Sequence, residues 1–109
     1  MRTWGARDQV TDRARGWTFL TNHAHVLLAI AREPTTRLRD VAGAVGITER
    51  AAQAIVADLE AAGYLRRERV GRRNQYTIDA AGPFRHPAEA GHHIGELLAL
   101  FAPASGPRS

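Results

Sequence analysis

The sequence has no cysteine, and this absence excludes several kinds of chemistry. Without cysteine there is no disulfide framework, no thiolate metal site and no cysteine nucleophile. Lysine is absent too, because all 15 basic residues are arginine, so the chain offers no lysine for a Walker-type phosphate loop or a Schiff base. Serine occurs only at Ser105 and Ser109, beside proline and glycine. We therefore expect no enzyme, no catalytic residue and no cofactor.

Long apolar runs are also missing. The longest, such as Val26–Ala31, fall far short of the roughly 20 residues that a membrane-spanning helix needs. Asp8 and Asp12 interrupt the N-terminus, where a signal peptide would be apolar. Aromatic residues make up 6% of the 109 residues and hydrophobic residues 44%, which favours one domain with an aliphatic core. We expect a soluble, cytoplasmic protein with no membrane partner.

Three stretches have the apolar spacing of helices. Pro34 and Gly46 end the first two stretches, and Thr48 is placed to cap the third, which runs from about Glu49 to Ala62. The positions expected to be buried recur at intervals of three and four residues: Ala24, Leu27, Leu28 and Ala31; Leu38, Val41, Ala42 and Val45; Ala52, Ile55, Val56 and Leu59.

The spacing then shortens to about two residues, which is typical of strands. Tyr64–Val70 and Gln75–Ile78 are the predicted strands, and Gly71–Asn74 between them indicates a hairpin loop. Residues 80–87 contain glycine and proline and are interpreted as a linker. A last amphipathic helix is predicted from about Ala88 to Phe101, with an apolar stripe of Ile94, Leu97, Leu98 and Phe101.

The net charge of +4 and the pI of 10.9 favour an anionic partner. Arg66–Arg73 holds five arginines and one glutamate, and this surplus of four equals the whole net charge. Alternate side chains of a hairpin point to opposite faces, so these arginines cannot all contact one strand of DNA. Arg72, Arg73 and Asn74 at the tip are predicted to contact DNA, whereas Arg66 and Arg69 are interpreted as supports that pair with nearby acids.

Three helices followed by a hairpin indicate a mainly α fold with a small β-hairpin (α+β), the winged helix-turn-helix plan. Residues 37–78 resemble the DNA-binding core of the MarR and ArsR families of bacterial repressors. The resemblance is carried by Ala42 four residues before Gly46, by the Gly46–Thr48 turn, by the Leu59–Leu65 sequence that closes the third helix, and by Gly71-Arg72 at the wing tip. The domain boundaries follow: an N-terminal arm (1–20), the winged helix-turn-helix domain (21–79), a linker and C-terminal dimerisation helix (80–102), and a disordered tail (103–109).

The resemblance implies that the third helix enters the major groove of double-stranded DNA with its N-terminal residues against the base edges. The matching exposed positions are Thr48, Glu49, Arg50, Ala51, Gln53 and Ala54. Arginine can bind guanine and glutamine can bind adenine through two hydrogen bonds each, which gives Arg50 and Gln53 the clearest roles in base recognition. Members of these families often have longer polar side chains at the positions of Ala51 and Ala54, so strong base-specific readout is not expected from this helix alone, and any specificity is expected to draw on methyl contacts, the wing or DNA shape.

Repressors of this plan usually dimerise through their terminal helices, which implies a homodimer on palindromic DNA. The predicted dimer interface combines the apolar part of the arm with the stripe of the last helix: Trp17, Phe19, Leu20, Ile94, Leu97, Leu98 and Phe101. Two alternatives stay open, a winged-helix module that binds protein and an architectural protein that binds DNA without sequence preference. An unknown effector ligand would have to bind at the dimer cleft or near the histidines.

Histidines flank two of the helices: His23 and His25, then His86, His92 and His93. Glu89 with His93, and His92 with Glu96, have the i, i+4 spacing that can place two metal ligands on one helix face. ArsR-like sensors sometimes hold zinc at their last helix, but the ligand spacing of that site is not present. We therefore predict no metal site and note protonation between pH 5 and 7 as an equal use of the cluster.

Overall fold

The computed structural model describes residues 16–101, which form four α-helices and one β-hairpin. The predicted α+β winged-helix layout is confirmed. Residues 1–15 of the predicted arm and the predicted tail lie outside the described residues. The elements are, in chain order, α1 (Asn22–Arg32), α2 (Leu38–Val45), α3 (Glu49–Ala61), β1 (Leu65–Val70), β2 (Arg73–Ile78) and α4 (Ile94–Phe101).

The three helices α1, α2 and α3 pack around one aliphatic core, as their apolar spacing predicts. Thr21 and Thr48 cap α1 and α3, because their hydroxyl oxygens accept hydrogen bonds from the backbone N–H groups of Ala24 and Ala51. Gly46 follows α2 and leads through Ile47 into the cap of α3. The core residues come from all three helices, the hairpin and α4: Val26, Leu27, Ile30, Val41, Ile55, Val56, Leu59, Tyr64, Leu65, Tyr76 and Ile94.

The hairpin is tighter than the sequence predicts. Its strands pair antiparallel from Leu65 opposite Ile78 to Val70 opposite Arg73, which leaves a turn of Gly71 and Arg72. Two-residue hairpin turns need a residue with positive φ, and Gly71 provides it with φ 65°. Arg73 and Asn74, predicted to lie in the loop, therefore belong to β2.

The last helix is shorter than predicted, because α4 begins at Ile94 and not near Ala88. Residues before it form a 3-10 turn at Pro87–Glu89, which His86 caps by accepting a hydrogen bond from the backbone N–H of Ala88. The backbone carbonyl of His92 then accepts from the N–H of Phe84. This pairing uses a carbonyl that a continuous helix would have directed along its own axis.

The segment predicted to be a linker packs on the domain. The Tyr64 hydroxyl donates to the carbonyl of Pro83, and the N–H of Ile94 donates to the carbonyl of Gly82 over 2.8 Å. A Cβ at position 82 would lie 2.7 Å from the Tyr64 ring, so only glycine lets the chain pass this close. These contacts fix the start of α4 against the core.

Candidate nucleic-acid interface

The N-terminal half of α3 presents the residues predicted to read bases. Ala52, Ile55, Val56 and Leu59 hold the opposite face of the helix in the core. As a result the predicted DNA-contacting residues of this element lie at the surface: Thr48, Glu49, Arg50, Gln53 and Ala54 are exposed, and Ala51 is half-buried. The helix can be approached along this face without any rearrangement of the core.

Long polar side chains are confined to the start of that face. Arg50 and Gln53 are followed by the exposed Ala54 and Ala57, which add only methyl groups. Further along the helix, the Asp58 carboxylate lies 2.8 Å from Nε2 of His23 on α1, so it is held at the far end of α3. Hydrogen bonds to base edges are therefore available mainly from the first turn and a half of α3.

The wing is attached to the rest of the domain at both strands. The guanidinium group of Arg67 in β1 contacts both carboxylate oxygens of Glu60 in α3, at 3.2 Å and 3.3 Å. In β2, the backbone N–H of Tyr76 donates to the carbonyl of Pro34, and Nη2 of Arg73 donates to the carbonyl of Thr35 over 2.7 Å. The hairpin is thus fixed relative to α3 and to the loop between α1 and α2.

The prediction of which arginine pairs with an acid to support the wing was wrong. Arg66 and Arg69 were expected to pair with nearby acids, but within residues 16–101 the wing's ion pair is made by Arg67 with Glu60. The reason is geometric, since Arg67 shares a face of the hairpin with its cross-strand partner Tyr76, which is buried on the core. Arg66 lies on the opposite face with Thr77, and Arg69 shares the face of Arg67 but lies two residues nearer the wing tip, opposite Asn74.

A polar groove of about 450 Å³ separates the wing from the starts of α2 and α3. We call it the wing groove. It brings together Arg72, Arg73 and Asn74 of the wing with Glu49 of α3, all of which were predicted to contact DNA, and adds Arg37. Arg37 is the N-cap residue of α2 and makes no side-chain cap, so the start of that helix borders the groove without a side-chain oxygen on its first N–H groups. Three guanidinium groups beside a helix N-terminus favour a phosphate.

The sequence did not predict a role for Arg37, because Arg37 lies far along the chain from the arginine-rich segment 66–73. The wing groove exists only because β2 packs against the Pro34–Thr36 loop, a contact between segments about 40 residues apart. The one available signal was an arginine at the N-cap position of a predicted helix, where a side-chain oxygen is the usual choice.

The predicted dimer residues divide into two groups. Trp17 and Phe19 are 77% and 92% exposed, and their rings stack edge to face with centroids 5.0 Å apart. On α4, by contrast, Ile94 is 6% exposed and belongs to the protein's own core, and Leu98 packs against that core. Phe101 and Leu100, the second of which was not predicted, are exposed at the end of the helix.

An apolar groove of about 450 Å³ runs between α1, the C-terminal end of α3 and α4. We call it the α1–α4 groove. Its floor is aliphatic and aromatic, and His23, Asp58 and Arg85 lie at its edge. The floor includes Leu27, Leu59, Tyr64, Phe84, Ile94 and Leu97.

Two histidines of the predicted cluster form hydrogen bonds with Glu96 at the start of α4. Nδ1 of His92 lies 2.8 Å from Oε1 of Glu96, and the backbone N–H of His93 donates to Oε2 of the same carboxylate. These two hydrogen bonds, the His92 side chain first, hold the pKa of Glu96 below its ordinary value. Glu89 lies in the 3-10 turn and not on α4. Among residues 16–101, no group of three histidine or carboxylate side chains is placed to hold a metal ion.

Comparison with known protein families identifies one family that matches this chain. A family model described as the MarR family matches residues 18–73, which is slightly more than half of the chain and includes α1, α2, α3 and β1. No curated protein and no solved structure matches the chain. None of the helices in the described part of the chain has the length and apolar character to cross a membrane.

Proposed function

This chain belongs to the MarR family, and on that premise we propose that it is a transcriptional regulator that binds double-stranded DNA as a homodimer. The first turns of α3 enter the major groove, and the wing lies on the flanking backbone. The observation that carries the proposal is the exposed start of α3 beside an arginine-rich hairpin that is attached on both sides.

The division of roles follows from reach and charge. Arg50 and Gln53 are the long side chains on the exposed face of α3, so they are assigned to base edges, with methyl contacts from Ala51 and Ala54. Thr48 and Glu49 lie at the start of the helix, which in this arrangement is nearest to the sugar-phosphate backbone of the DNA. Arg72, Arg73 and Asn74 are assigned to phosphates or to the minor groove, because they line the electropositive wing groove.

With double-stranded DNA as its partner, we expect the protein in the cytoplasm and, when bound, on the nucleoid. The dimer presents two copies of α3, and half-sites on a palindrome are then about one helical turn, or roughly 34 Å, apart. An effector ligand stays a prediction, as does the absence of a metal or cofactor from the regulatory cycle.

The test is selection of bound duplexes from a random-sequence library, followed by fluorescence anisotropy with the selected and the random DNA. The proposal expects an enriched, two-fold symmetric motif and binding at least 1,000-fold tighter than to random DNA. Binding without any enriched motif would replace it with an architectural DNA-binding protein. No binding to either DNA at about 50 mM salt would contradict both and favour a protein-interaction module.

A further inference from the structure

We propose that Glu49 is a specificity-determining residue, which selects a cytosine in each half-site of the DNA and weakens binding to DNA that lacks this cytosine. The inference rests on the proposed function and deepens it, because it names the base that one side chain recognises. Glu49 is the one acidic residue among those assigned to DNA, and its charge is opposite to that of the wing.

Glu49 lies where α3 meets the wing groove. It is the first residue of α3, it is exposed, and it lines the groove together with three arginines. The other carboxylates of α3 are paired, Asp58 with His23 and Glu60 with Arg67. None of the ion pairs within residues 16–101 includes Glu49. Its carboxylate is therefore directed at the DNA-binding surface without a cation from these residues to neutralise it.

The chemistry of a carboxylate limits what Glu49 can contact on DNA, because an ionised carboxylate only accepts hydrogen bonds. Phosphates repel it. In the major groove, guanine and thymine present acceptors, and the donors are the amino groups of cytosine and adenine. The amino group of adenine lies between two acceptors, its own N7 and thymine O4, whereas that of cytosine has an acceptor, guanine O6, on one side only. Cytosine therefore fits the carboxylate best.

The same charge acts against DNA of unrelated sequence. Arg72 and Arg73 are assigned to phosphates, which are present in every sequence. Where the cytosine is missing, Glu49 opposes this attraction, on the order of fivefold for one carboxylate close to a phosphate in water. On the correct half-site, the hydrogen bond from the amino group offsets the repulsion. Specific interfaces commonly combine such a repulsive element with an attractive one, which here is Arg50.

A role of Glu49 in folding alone has a different signature. A carboxylate in the first turn stabilises a helix, since the N-terminal end carries a partial positive charge. Thr48 already caps α3 through the N–H of Ala51. Loss of a purely stabilising group would lower the fraction of folded protein and so weaken binding to every DNA by the same factor. A dependence on one base is expected only if the carboxylate contacts that base.

N4-methylcytosine tests the contact at a single atom, because it still pairs with guanine but has a methyl group in place of the amino hydrogen in the major groove. Each cytosine of the selected half-site is replaced in turn, in both half-sites, and anisotropy compares modified with unmodified duplex. The proteins are the full natural chain, Glu49→Ala and the matched control Glu89→Ala. The control removes the same charge from an exposed residue of the 3-10 turn, outside the wing groove.

At one cytosine position, methylation should weaken binding by the natural protein and by Glu89→Ala at least 25-fold, from about fivefold or more in each half-site. For Glu49→Ala the factor should be no more than about twofold, since no carboxylate remains to lose its partner. Both duplexes are measured on one protein sample, so partial unfolding does not change the ratio. Equal factors for Glu49→Ala and the natural protein at every cytosine, or a selected half-site without cytosine, would overturn the inference.

Binding to random DNA tests the repulsion. Glu49→Ala should bind random duplexes at least about fivefold more tightly than the natural protein, and Glu89→Ala no more than about twofold. Stoichiometric titration with the selected duplex corrects each sample for its active fraction. No gain for Glu49→Ala, or an equal gain for the control, would overturn the inference and leave the proposed function standing if the natural protein binds its selected DNA. A natural protein that binds neither DNA would overturn both.

Discussion

At the scale of single residues, the arginines of the wing differ in what their guanidinium groups already contact. Arg67 is paired with Glu60, and Arg73 donates to the carbonyl of Thr35. Within residues 16–101, no such partner holds Arg72, which lies in the two-residue turn at the tip. Within the same residues Arg66 and Arg69 have no such partner either, but Arg72 is the one of these three that lines the wing groove, so we assign its charge to a phosphate.

Arg72→Ala should weaken binding to every DNA and reduce the salt dependence of binding. The variant dimer loses one phosphate contact at each wing, so the slope of log K against log salt concentration becomes shallower by about 1.8. Anisotropy titrations at four or more salt concentrations measure this slope. Arg85→Ala is the matched control, because it removes the same charge from an exposed residue at the edge of the α1–α4 groove. Equal slopes for Arg72→Ala and the natural protein would contradict the assignment.

Arg50→Ala should mainly reduce the preference for selected over random DNA. The variant dimer loses one guanine contact in each half-site, and each lost contact costs roughly 1–3 kcal/mol of discrimination, or about a 5- to 150-fold loss of preference per half-site. Competition between labelled selected DNA and unlabelled random DNA measures the ratio. If the variant instead weakened both equally, Arg50 would be a phosphate contact.

Exposure at these positions could be predicted from the sequence, whereas the contacts of the wing could not. Helical spacing places Arg50 and Gln53 opposite the buried stripe of α3, and this depends only on the period of the helix. The Arg67–Glu60 pair and the Arg73–Thr35 hydrogen bond depend on how the hairpin packs against α3 and the α1–α2 loop. No local pattern encodes that packing.

At the scale of elements, α4 packs its first residue in the core of the domain and leaves its last residues exposed. Its first residue, Ile94, lies in the core beside α1, whereas Leu100 and Phe101 at its end are 73% and 45% exposed. The apolar stripe was correctly predicted, but its buried and exposed ends could not be, because both are equally hydrophobic. The turn before α4 was missed because its backbone pairing with residues 82–84 is not local.

Ile94→Ala should destabilise the domain by about 2–5 kcal/mol, since it removes a buried aliphatic side chain and leaves a cavity. Urea unfolding followed by circular dichroism measures the loss. Val70→Ala, at an exposed position of the wing, should change the free energy of unfolding by no more than about 0.5 kcal/mol. If Ile94→Ala also changed the free energy of unfolding by no more than about 0.5 kcal/mol, α4 would not pack on its own domain.

Glu96 makes the stability of the folded protein depend on pH in the acid range. Its pKa lies below the ordinary value of 4.5 because the folded chain donates two hydrogen bonds to the carboxylate. The unfolded chain therefore binds the proton more readily, so this stabilising contribution is present above about pH 4.5 and is lost as the pH falls below it.

Glu96→Gln should flatten that dependence. Thermal unfolding from pH 3 to pH 7 should show a smaller fall in melting temperature toward acid for the variant than for the natural protein. Glu89→Gln, on an exposed glutamate of the 3-10 turn, is the control and should keep the natural profile. Parallel profiles for the natural protein and Glu96→Gln would contradict the role of this carboxylate.

At the scale of the whole molecule, the charge distribution and the fold point to the same surface. The residues of the wing segment account for the entire net charge of +4. The structure attaches this segment to Glu60 of α3 and to Thr35, and its tip lines one groove with Glu49 at the exposed start of α3. The sequence predicted the fold class because each element has its own periodicity and its own end signals. It could not predict the two grooves, since each is formed by segments distant in the chain.

The central claim is that this surface binds DNA, and the salt dependence of binding by the natural protein tests it most directly. Anisotropy of a labelled palindromic duplex from the selection is measured between about 50 and 300 mM salt. We expect log K to fall linearly with log salt concentration, with a slope steeper than about −3.5, because two wings and two helix ends contribute at least four phosphate contacts at about 0.9 each. A slope near zero, or no binding at the lowest salt concentration, would contradict it.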